Sequence, residues 1–395
     1  MKVAGIIAEY NPFHNGHALL IEKARRAGAT HVVAVMSSNF VQRGEPAIFH
    51  HRERTEAALR GGADLVIQLP CTYALSGAQS FARAGIKLLD ALGCVDWLVF
   101  GSECGDAEKL TRAAQAIYSP EVQSEISEEM SKGLPFATAR ENALRKLYPE
   151  SAGIIGQPNN ILGVEYIAAI KSIGSSVVPL TFKREGAAHN ATETVGATAS
   201  ASLIRELVLS GKDWQGFVPQ TAARIFAKAM DEKRGPVSIA ENQKAVLYKM
   251  RSVAAAELAK APDVSEGIEN RILNAAAKAV TLEELYSLTK TKRYSHARIR
   301  RIVMNSFLEI TAEDLKISPP YLRITGFNSN GAQLIKTAKE TAKLPVITKA
   351  ADLADLGSDA QRIFAIECRA GDIYSLFTPE VMPCGEEKRF VPIII

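Results

Sequence analysis

The sequence predicts an α/β fold: a domain built on a parallel sheet (residues 1–210), then a helical domain (211–317) and a small C-terminal α/β domain (318–395). Three observations predict this fold. Short apolar runs alternate with helically spaced segments over roughly the first 100 residues, which is typical of strand–helix–strand units. Alanine and leucine dominate from about 215 to 315 with helical periodicity. After Ser318-Pro319-Pro320, strand and helix signals alternate again.

The elements follow from these patterns in chain order. In the first domain the apolar runs match strands buried on both faces, and we expect right-handed crossovers between them. The predicted strands are 3–8, 31–36, 64–69, 95–100 and 176–182; the predicted helices are 16–26, 52–60, 81–91, several over about 106–150, 160–170 and 200–209, with a loop at 183–199. Later in the chain we predict helices at 222–230, 242–258, 269–279 and 331–343, and strands at 321–325 and 345–348.

The composition is that of a folded globular protein. The 395 residues are 47% hydrophobic and 23% charged, with a net charge of +4, which excludes a mainly disordered or collagen-like chain. The five cysteines form no C-x-x-C pair, so we expect neither a disulfide framework nor a zinc site. We expect no targeting segment, because the first apolar run is interrupted by Glu9. We also expect no membrane span and a cytoplasmic location.

Two histidines follow the first predicted strand, in the order His14-Asn15-Gly16-His17. Ligands bind beyond the carboxyl ends of strands in open parallel sheets, and a helix N-terminus there attracts phosphate. Because His14 and His17 are three residues apart, both rings can lie on one side and donate hydrogen bonds to phosphate oxygens. Gly16 would let backbone approach a nucleotide. Two surface histidines at a helix cap are the plain alternative, and a zinc site is disfavoured because no third ligand is evident.

This strand–H-x-G-H–helix pattern resembles the nucleotidyltransferase superfamily and predicts a Rossmann-like catalytic domain. Longer strings resemble the bacterial tRNA(Met) cytidine acetate ligases; these are residues 5–17 (GIIAEYNPFHNGH), 35–46 (VMSSNFVQRGEP), 62–70 (GADLVIQLP), 100–103 (FGSE), 159–166 (NNILGVEY) and 183–186 (KREG). The resemblance implies a two-step ligase. Acetate attacks the α-phosphate of ATP to give acetyl-adenylate, and the acetyl group then passes to the exocyclic amine of the wobble cytidine of elongator tRNA(Met).

We therefore predict a site for ATP, with Mg²⁺ bridging its phosphates through few protein ligands. His14 and His17 are the predicted catalytic residues. The predicted nucleotide-binding residues are Ile7, Ala8, Glu9, Tyr10, Asn11, Pro12, Phe13, His14, Asn15, Gly16, His17, Gly101, Asn160, Lys183, Arg184, Ser200, Ser202 and Arg205.

Several of these residues also have plainer interpretations. Gly101 leaves room for a base or ribose but could be a turn glycine, and Lys183 and Arg184 could reach phosphates or lie in solvent. The family implies a ligand role for Asn160, which could instead cap a helix. Residues 200–205 (SASLIR) resemble the superfamily's second signature, in which hydroxyls and an arginine hold phosphates; the alternative is a helix cap and a surface arginine.

The polar loop 37–46 follows the second predicted strand. Its Asn39, Gln42 and Arg43 are predicted to hold acetate or the adenylate, unless the loop only connects two elements. In the reaction that the resemblance implies, acetate is itself the nucleophile, so catalysis would depend on positioning and charge stabilisation. The sequence Ala187-Ala188-His189-Asn190 departs from the family pattern, and His189 is assigned no role.

A basic segment (residues 290–301) is the predicted tRNA contact. Such a patch neutralises phosphates, and Tyr294 could stack on a splayed base; a solvated basic face is the alternative. The predicted contacts are Lys290, Lys292, Arg293, Tyr294, Arg298, Arg300 and Arg301.

Two other functions remain open at this point. One is a small-molecule adenylyltransferase that makes a dinucleotide coenzyme, and the other is a non-catalytic RNA-binding protein that uses ATP as a structural ligand. The sequence leaves the oligomeric state open.

Overall fold

The computed structural model describes residues 1–184 and 199–395, apart from the side chain of residue 137. The strands within these ranges are β1 (Val3–Ala8), β2 (His31–Ser37), β3 (Phe40–Val41), β4 (Glu45–Pro46), β5 (Leu65–Leu69), β6 (Trp97–Ser102), β7 (Val178–Lys183), β8 (Leu322–Phe327), β9 (Val346–Ile347) and β10 (Ile393–Ile394).

Helices occupy much of the remaining described chain. They are α1 (Asn15–Arg26), α2 (His51–Arg60), α3 (Cys71–Ala74), α4 (Ala78–Ala91), α5 (Ala107–Ile117), α6 (Pro120–Ser131), α7 (Phe136–Leu147), α8 (Pro149–Ala152), α9 (Pro158–Ile173), α10 (Ala201–Leu209), α11 (Gln220–Asp231), α12 (Gln243–Ser252), α13 (Ala255–Leu258), α14 (Ile268–Ala276), α15 (Leu282–Thr289), α16 (His296–Phe307), α17 (Ala312–Lys316), α18 (Ser329–Thr341), α19 (Ser358–Tyr374) and α20 (Glu386–Arg389). Short 3₁₀ turns lie at Gln215–Phe217, Ala350–Leu353 and Ser375–Phe377.

One mixed sheet organises the described chain, with strand order β10-β8-β5-β2-β1-β6-β7 and β9 beside β8. The strands β5, β2, β1, β6 and β7 are parallel, in agreement with the predicted α/β fold. Strand β1 is central and pairs with β2 in an unbroken parallel register. The separate hairpin β3–β4 lies in loop 37–46.

The C-terminal residues 318–395 contain strands and helices, as predicted, and their strands extend the main sheet. Strand β8 pairs antiparallel with β5, while β10 and β9 pair parallel with β8. The alternation of apolar and polar residues in β8 signals a strand but not its partner, so sequence reasoning did not join it to this sheet. The domain boundaries at 210 and 317 remain predictions.

One predicted helix is broken in the structure. The segment 242–258 forms two helices, α12 and α13, which are separated by extended backbone at Val253. The hydroxyl of Ser252 donates to the carbonyls of Tyr248 and Lys249, a local bond that competes with the helical pattern. Apolar periodicity alone could not locate this break.

Close packing holds the end of β1 in place. A Cβ on Gly5 would lie 2.7 Å from Leu89 Cδ1, and one on Gly85 would lie 2.6 Å from Ile7 Cδ1, so β1 and α4 approach more closely than side chains would allow. The carboxyl end of β1 is therefore rigidly placed for the residues that follow it. In the described part of the chain, helices that are both long and apolar enough to cross a bilayer are absent.

Candidate active site

The two histidines of the H-x-G-H sequence begin helix α1 and are fixed by its backbone. His14 is the N-cap residue, and its Nδ1 accepts the Gly16 N–H at 3.1 Å. Nδ1 of His17 accepts the His14 N–H at 3.2 Å, which completes a capping box. The rings stack with centroids 3.6 Å apart. The predicted one-sided arrangement of the two rings is therefore present.

These contacts decide which ring nitrogen carries the proton. Burial, helped by the charges of Arg184 and Arg205, lowers the pKa of His14 to about 3. Burial and the neighbouring His14 lower the pKa of His17 well below its usual value. Both imidazoles are thus neutral near pH 7, and because each Nδ1 accepts a backbone N–H, each proton is on Nε2. Each ring has one Nε2–H group left to donate.

The histidines line a cavity of about 280 Å³ beyond the carboxyl ends of β1 and β6. One wall is apolar and includes Phe100, Ile161, Leu162 and Tyr166. The predicted residues that line this cavity are Ile7, Ala8, Glu9, Tyr10, Asn11, His14, His17, Gln42, Arg43, Gly101, Arg184 and Ser200. A smaller adjoining cavity of about 70 Å³ is lined by Gly16 and Lys183, together with both histidines, Gly101 and Arg184.

Other predicted residues support the cavity rather than line it. Phe13 is fully buried and packs edge-on against Tyr10, and Pro12 is buried beside it. Asn15 donates from Nδ2 to the Gly216 carbonyl. A Cβ on Gly16 would lie 2.9 Å from Cε1 of His14, so the missing side chain makes room for that ring. Gly16 also lines the smaller cavity, and the expected close approach of a nucleotide to its backbone stays a prediction.

The segment 200–205 (SASLIR) places the start of α10 and the side chain of Arg205 beside the H-x-G-H turn. Ser200 caps α10 by accepting the Leu203 N–H at 3.1 Å, and it also lines the cavity. Arg205 is not a surface arginine; it donates to the Asn11 carbonyl at 2.9 Å. Ser202 Oγ accepts from Arg43 and Arg205 at 3.0 and 3.3 Å. The segment thus connects the H-x-G-H turn to loop 37–46.

Asn160 lies outside the cavity lining, and Gln157 rather than Asn160 is the N-cap of α9. Its Oδ1 accepts the backbone N–H groups of Glu103 and Cys104 at 3.0 and 3.1 Å. In return, Glu103 accepts the N–H groups of Asn159 and Asn160 at 3.1 and 2.8 Å. This reciprocal set holds Asn159, which does line the cavity.

Asn39 is also placed away from the cavity. It is fully buried, accepts the His51 N–H at 2.8 Å and donates to Glu387 Oε1 at 3.4 Å. The structure therefore does not support a direct substrate contact for Asn39. Gln42 and Arg43 do line the cavity, so the same loop contributes both support and lining.

Sequence reasoning missed Arg54, whose guanidinium joins the ends of two strands. Fully buried, it donates to the carbonyls of Glu9 and Ser37 at 2.6 and 3.0 Å, to that of Phe49 at 2.9 Å, and to that of Ser38. It therefore fixes the chain where β1 and β2 end. A lone arginine within a predicted helix gives no sequence signal of this role.

The basic segment 290–301 is largely paired with acidic or carbonyl groups. Tyr294 is only 7% exposed and donates to the Glu266 carbonyl, while Arg298 covers its ring at 5.3 Å. The expected stacking of Tyr294 on a base is therefore wrong for this conformation. Three arginines form ion pairs, namely Arg293 with Glu266, Arg300 with Glu283, and Arg301 with Asp263. Arg298 donates to the Asp263 carbonyl. Lys290 and Lys292 have no ion-pair partner among the described residues.

The basic segment also touches the loop that lines the cavity. Gly44, between β3 and β4, has φ +80°, and a Cβ there would lie 2.5 Å from the backbone of Arg300 and Arg301. The hairpin that carries Gln42 and Arg43 thus packs directly on α16 at its second turn. This contact joins the predicted RNA-binding segment to the cavity.

One group in the described chain could geometrically hold a metal, namely His50, His51 and Glu387. Glu387 is already paired with His51 at 2.8 Å and with Arg323 at 2.6 Å. A cation there would face the Arg323 guanidinium, so we assign none. The residues 187–190, with their departure from the family pattern, lie outside the described residues.

The cavity does fit a nucleoside triphosphate. Its Nε2–H donors, Arg184 and the N-terminus of α10 are suited to phosphate, and its apolar wall is suited to a base. The described lining is poor in carboxylates, so Mg²⁺, when bound, would be held mainly by the phosphates of the nucleotide. A parallel sheet whose first strand leads into H-x-G-H at such a cavity defines a nucleotidyltransferase.

Comparisons with known proteins show to which family of nucleotidyltransferases the chain belongs. Residues 1–388 match the family described as HIGH Nucleotidyl Transferase. The chain is 41% identical to tRNA(Met) cytidine acetate ligase of Caldanaerobacter subterraneus subsp. tengcongensis over 95% of both chains. It is 39% identical to that of Acetivibrio thermocellus over 98% of both. The chain belongs to the tRNA(Met) cytidine acetate ligase family.

Solved structures agree with this assignment. The structure is similar to the apo crystal structure of Thermotoga maritima TmcAL, with a TM-score of 0.96 and 34% identity over the whole of both chains. It is also similar to the structure of that protein bound with alpha-thio ATP, with a TM-score of 0.94. The predicted nucleotidyltransferase fold is thereby confirmed.

Proposed function

We propose that this protein is an ATP-dependent ligase that activates acetate as acetyl-adenylate and acetylates the exocyclic amine of the wobble cytidine in elongator tRNA(Met). The observation that carries the proposal is the pair of neutral imidazoles, His14 and His17, each fixed with Nε2–H available in one cavity. The substrates are inferred from relatives that are named tRNA(Met) cytidine acetate ligase and from a relative solved with an ATP analogue.

In the first step, an acetate oxygen attacks the α-phosphorus of ATP and pyrophosphate leaves. The Nε2–H groups of His14 and His17 donate to phosphate oxygens as charge grows on them, and their low pKa values keep this donor state constant around neutrality. Arg184, which lines the smaller cavity together with both histidines, and the α10 N-terminus at Ser200 supply positive potential. Mg²⁺, when bound, would neutralise phosphate charge.

In the second step, the cytidine amine attacks the acetyl carbonyl carbon and AMP leaves. The tRNA would reach the cavity past α16, which packs at Arg300 and Arg301 on the loop that carries Gln42 and Arg43. Lys290 and Lys292 are the cations best suited to contact phosphate. We place the reaction in the cytoplasm, where tRNA and ATP are both present.

The two alternatives fit less well. A small-molecule adenylyltransferase would not need the basic segment and its packing on the cavity loop. A structural ATP site would not need two imidazoles held in one tautomer at the cavity. Relatives named as ligases over nearly the full chain favour the ligase over both.

The decisive experiment is mass spectrometry of elongator tRNA(Met) after incubation with the protein, ATP and isotopically labelled acetate. We expect one labelled acetyl group on the wobble cytidine, and none without ATP. Transcripts in which that cytidine is replaced by uridine serve as the control. An unlabelled tRNA, together with pyrophosphate exchange that ignores acetate and responds to a mononucleotide, would instead support the coenzyme adenylyltransferase.

A further inference from the structure

The carboxylate of Glu9 lines the cavity, although its negative charge repels the anionic ligands that are expected there. Glu9 is the single acidic side chain among the described residues that line it; the other charged groups are Arg43 and Arg184. ATP and acetate are anions, so a carboxylate beside them weakens their binding unless it has another task. Its position in the lining therefore calls for a chemical role.

Glu9 is held firmly but keeps one oxygen available. Its Oε1 accepts the Gln42 N–H at 2.8 Å, and its backbone carbonyl accepts from Arg54 at 2.6 Å. The described residues form no ion pair with Glu9 within 4.0 Å and donate no hydrogen bond to Oε2. A cavity-lining carboxylate that is oriented by a hydrogen bond to one of its oxygens is suited to accept a proton on the other.

The other titratable groups in the cavity are poor proton acceptors near neutral pH. The low pKa values of His14 and His17 make their imidazoles weak bases. Burial raises the pKa of Tyr10 far above neutrality, so that its hydroxyl stays protonated. Burial also raises the pKa of Glu9, against the lowering effects of the Gln42 N–H and of Arg205 and Arg43. A higher pKa makes Glu9 a stronger base.

We propose that Glu9 is the general base of acetyl transfer and accepts a proton from the exocyclic amine of cytidine. This inference rests on the proposed function. The amine nitrogen forms a bond to the acetyl carbonyl carbon, the bond from that carbon to the phosphate oxygen of AMP breaks, and AMP leaves with the electron pair. One amine proton passes to Glu9 and then to solvent, so that acetyl-adenylate and amine give acetylcytidine, AMP and a proton.

The two half-reactions differ in their need for this base. Acetate is already deprotonated when it attacks ATP, so acetyl-adenylate formation has no proton to remove. The amine of cytidine must lose a proton before the amide is stable. Loss of the Glu9 carboxylate should therefore separate the two steps.

The test compares Glu9→Gln with Glu9→Asp and the wild-type protein. The glutamine keeps an oxygen to accept the Gln42 N–H but cannot act as a base. For Glu9→Gln we expect acetate-dependent exchange of pyrophosphate into ATP within about threefold of wild type, and single-turnover acetyl transfer to tRNA reduced at least about 100-fold at pH 7. Glu9→Asp should recover part of the transfer rate. Glu22→Gln, an exposed substitution on α1, is the matched control and should leave both rates unchanged.

The pH profile gives a second readout. The charged and polar groups around Glu9 are Arg43 and Glu45 of the hairpin, Arg205 of α10, Arg54 of α2 and Tyr166 of α9. The rate of acetyl transfer by the wild-type protein should fall as pH drops through the raised pKa of Glu9. The rate of the Glu9→Gln variant should not show this fall.

Each other result overturns the inference. Equal loss of both half-reactions would make Glu9 a support for ATP or Mg²⁺, and unchanged transfer would leave it no role as a base. Absence of acetate-dependent exchange in the wild-type protein would instead overturn the proposed function itself.

Discussion

Replacement of His17 separates its two contributions, because each ring nitrogen has its own role. Nδ1 accepts the His14 N–H at 3.2 Å and so caps α1, while Nε2–H is available in the cavity. His17→Ala removes both. His17→Asn retains a side-chain oxygen that can accept the His14 N–H but removes the Nε2–H donor. Loss of a donor to transition-state charge typically reduces the rate about 10²–10³-fold, or about 2.7–4 kcal/mol. Loss of an N-terminal cap costs about 1 kcal/mol of stability.

Both variants should therefore lose about 10²–10³ in acetate-dependent exchange of pyrophosphate into ATP. Only His17→Ala should also lose about 1 kcal/mol in the free energy of urea unfolding. Affinity for tRNA should stay within about twofold of wild type in filter binding, because the ring lies in the cavity. A His17→Asn protein with wild-type exchange would refute the donor role. A rate loss in His17→Ala alone would show that the ring acts only as a cap.

The other predictions concern the basic segment, the hairpin and pH. Lys290→Ala with Lys292→Ala should weaken tRNA binding and reduce the slope of log affinity against log salt by about 1–2, and an unchanged slope would exclude phosphate contacts there. Gly44→Ala should lower the free energy of urea unfolding by about 1–2 kcal/mol, because φ is +80° and the Cβ meets Arg300; an unchanged midpoint would contradict this packing. The Tm of wild type should fall as pH drops below 6.5, because unfolded histidine takes up protons that His14, with a folded pKa of about 3, does not. The Tm of His14→Asn should fall less than that of wild type between pH 6.5 and 4.5. Parallel curves of Tm against pH for the two proteins would contradict the low pKa of His14.

Local sequence patterns predicted the sheet and the H-x-G-H turn because both depend on short-range chemistry. Apolar runs identified β1, β2, β5, β6 and β7, although the strand ends differ by a few residues and β7 is a partly exposed edge strand. The strand that became β8 was also found, but not its antiparallel pairing with β5, since pairing depends on contacts distant in sequence.

The site was predicted less completely than the fold. His14, His17 and Arg184 lie where the motifs placed them. Asn39 and Asn160, which were predicted to contact substrate, instead bond to the backbone of neighbouring loops, and the similar role of Arg54 was missed. A side chain that bonds to the backbone leaves no recognisable motif in the sequence. The basic segment looked unpaired in sequence because its acidic partners Asp263, Glu266 and Glu283 lie elsewhere along the chain. The predicted phosphate role of Arg298 and Arg301 is weakened by these contacts.

The central claim is that the cavity at the end of β1 binds ATP through the paired imidazoles. A crystal structure of the protein with a non-hydrolysable ATP analogue tests it most directly. We expect triphosphate oxygens within hydrogen-bond distance of Nε2 of both His14 and His17, with Arg184 facing the same phosphates. An analogue bound elsewhere, or a triphosphate that neither imidazole contacts, would contradict the account.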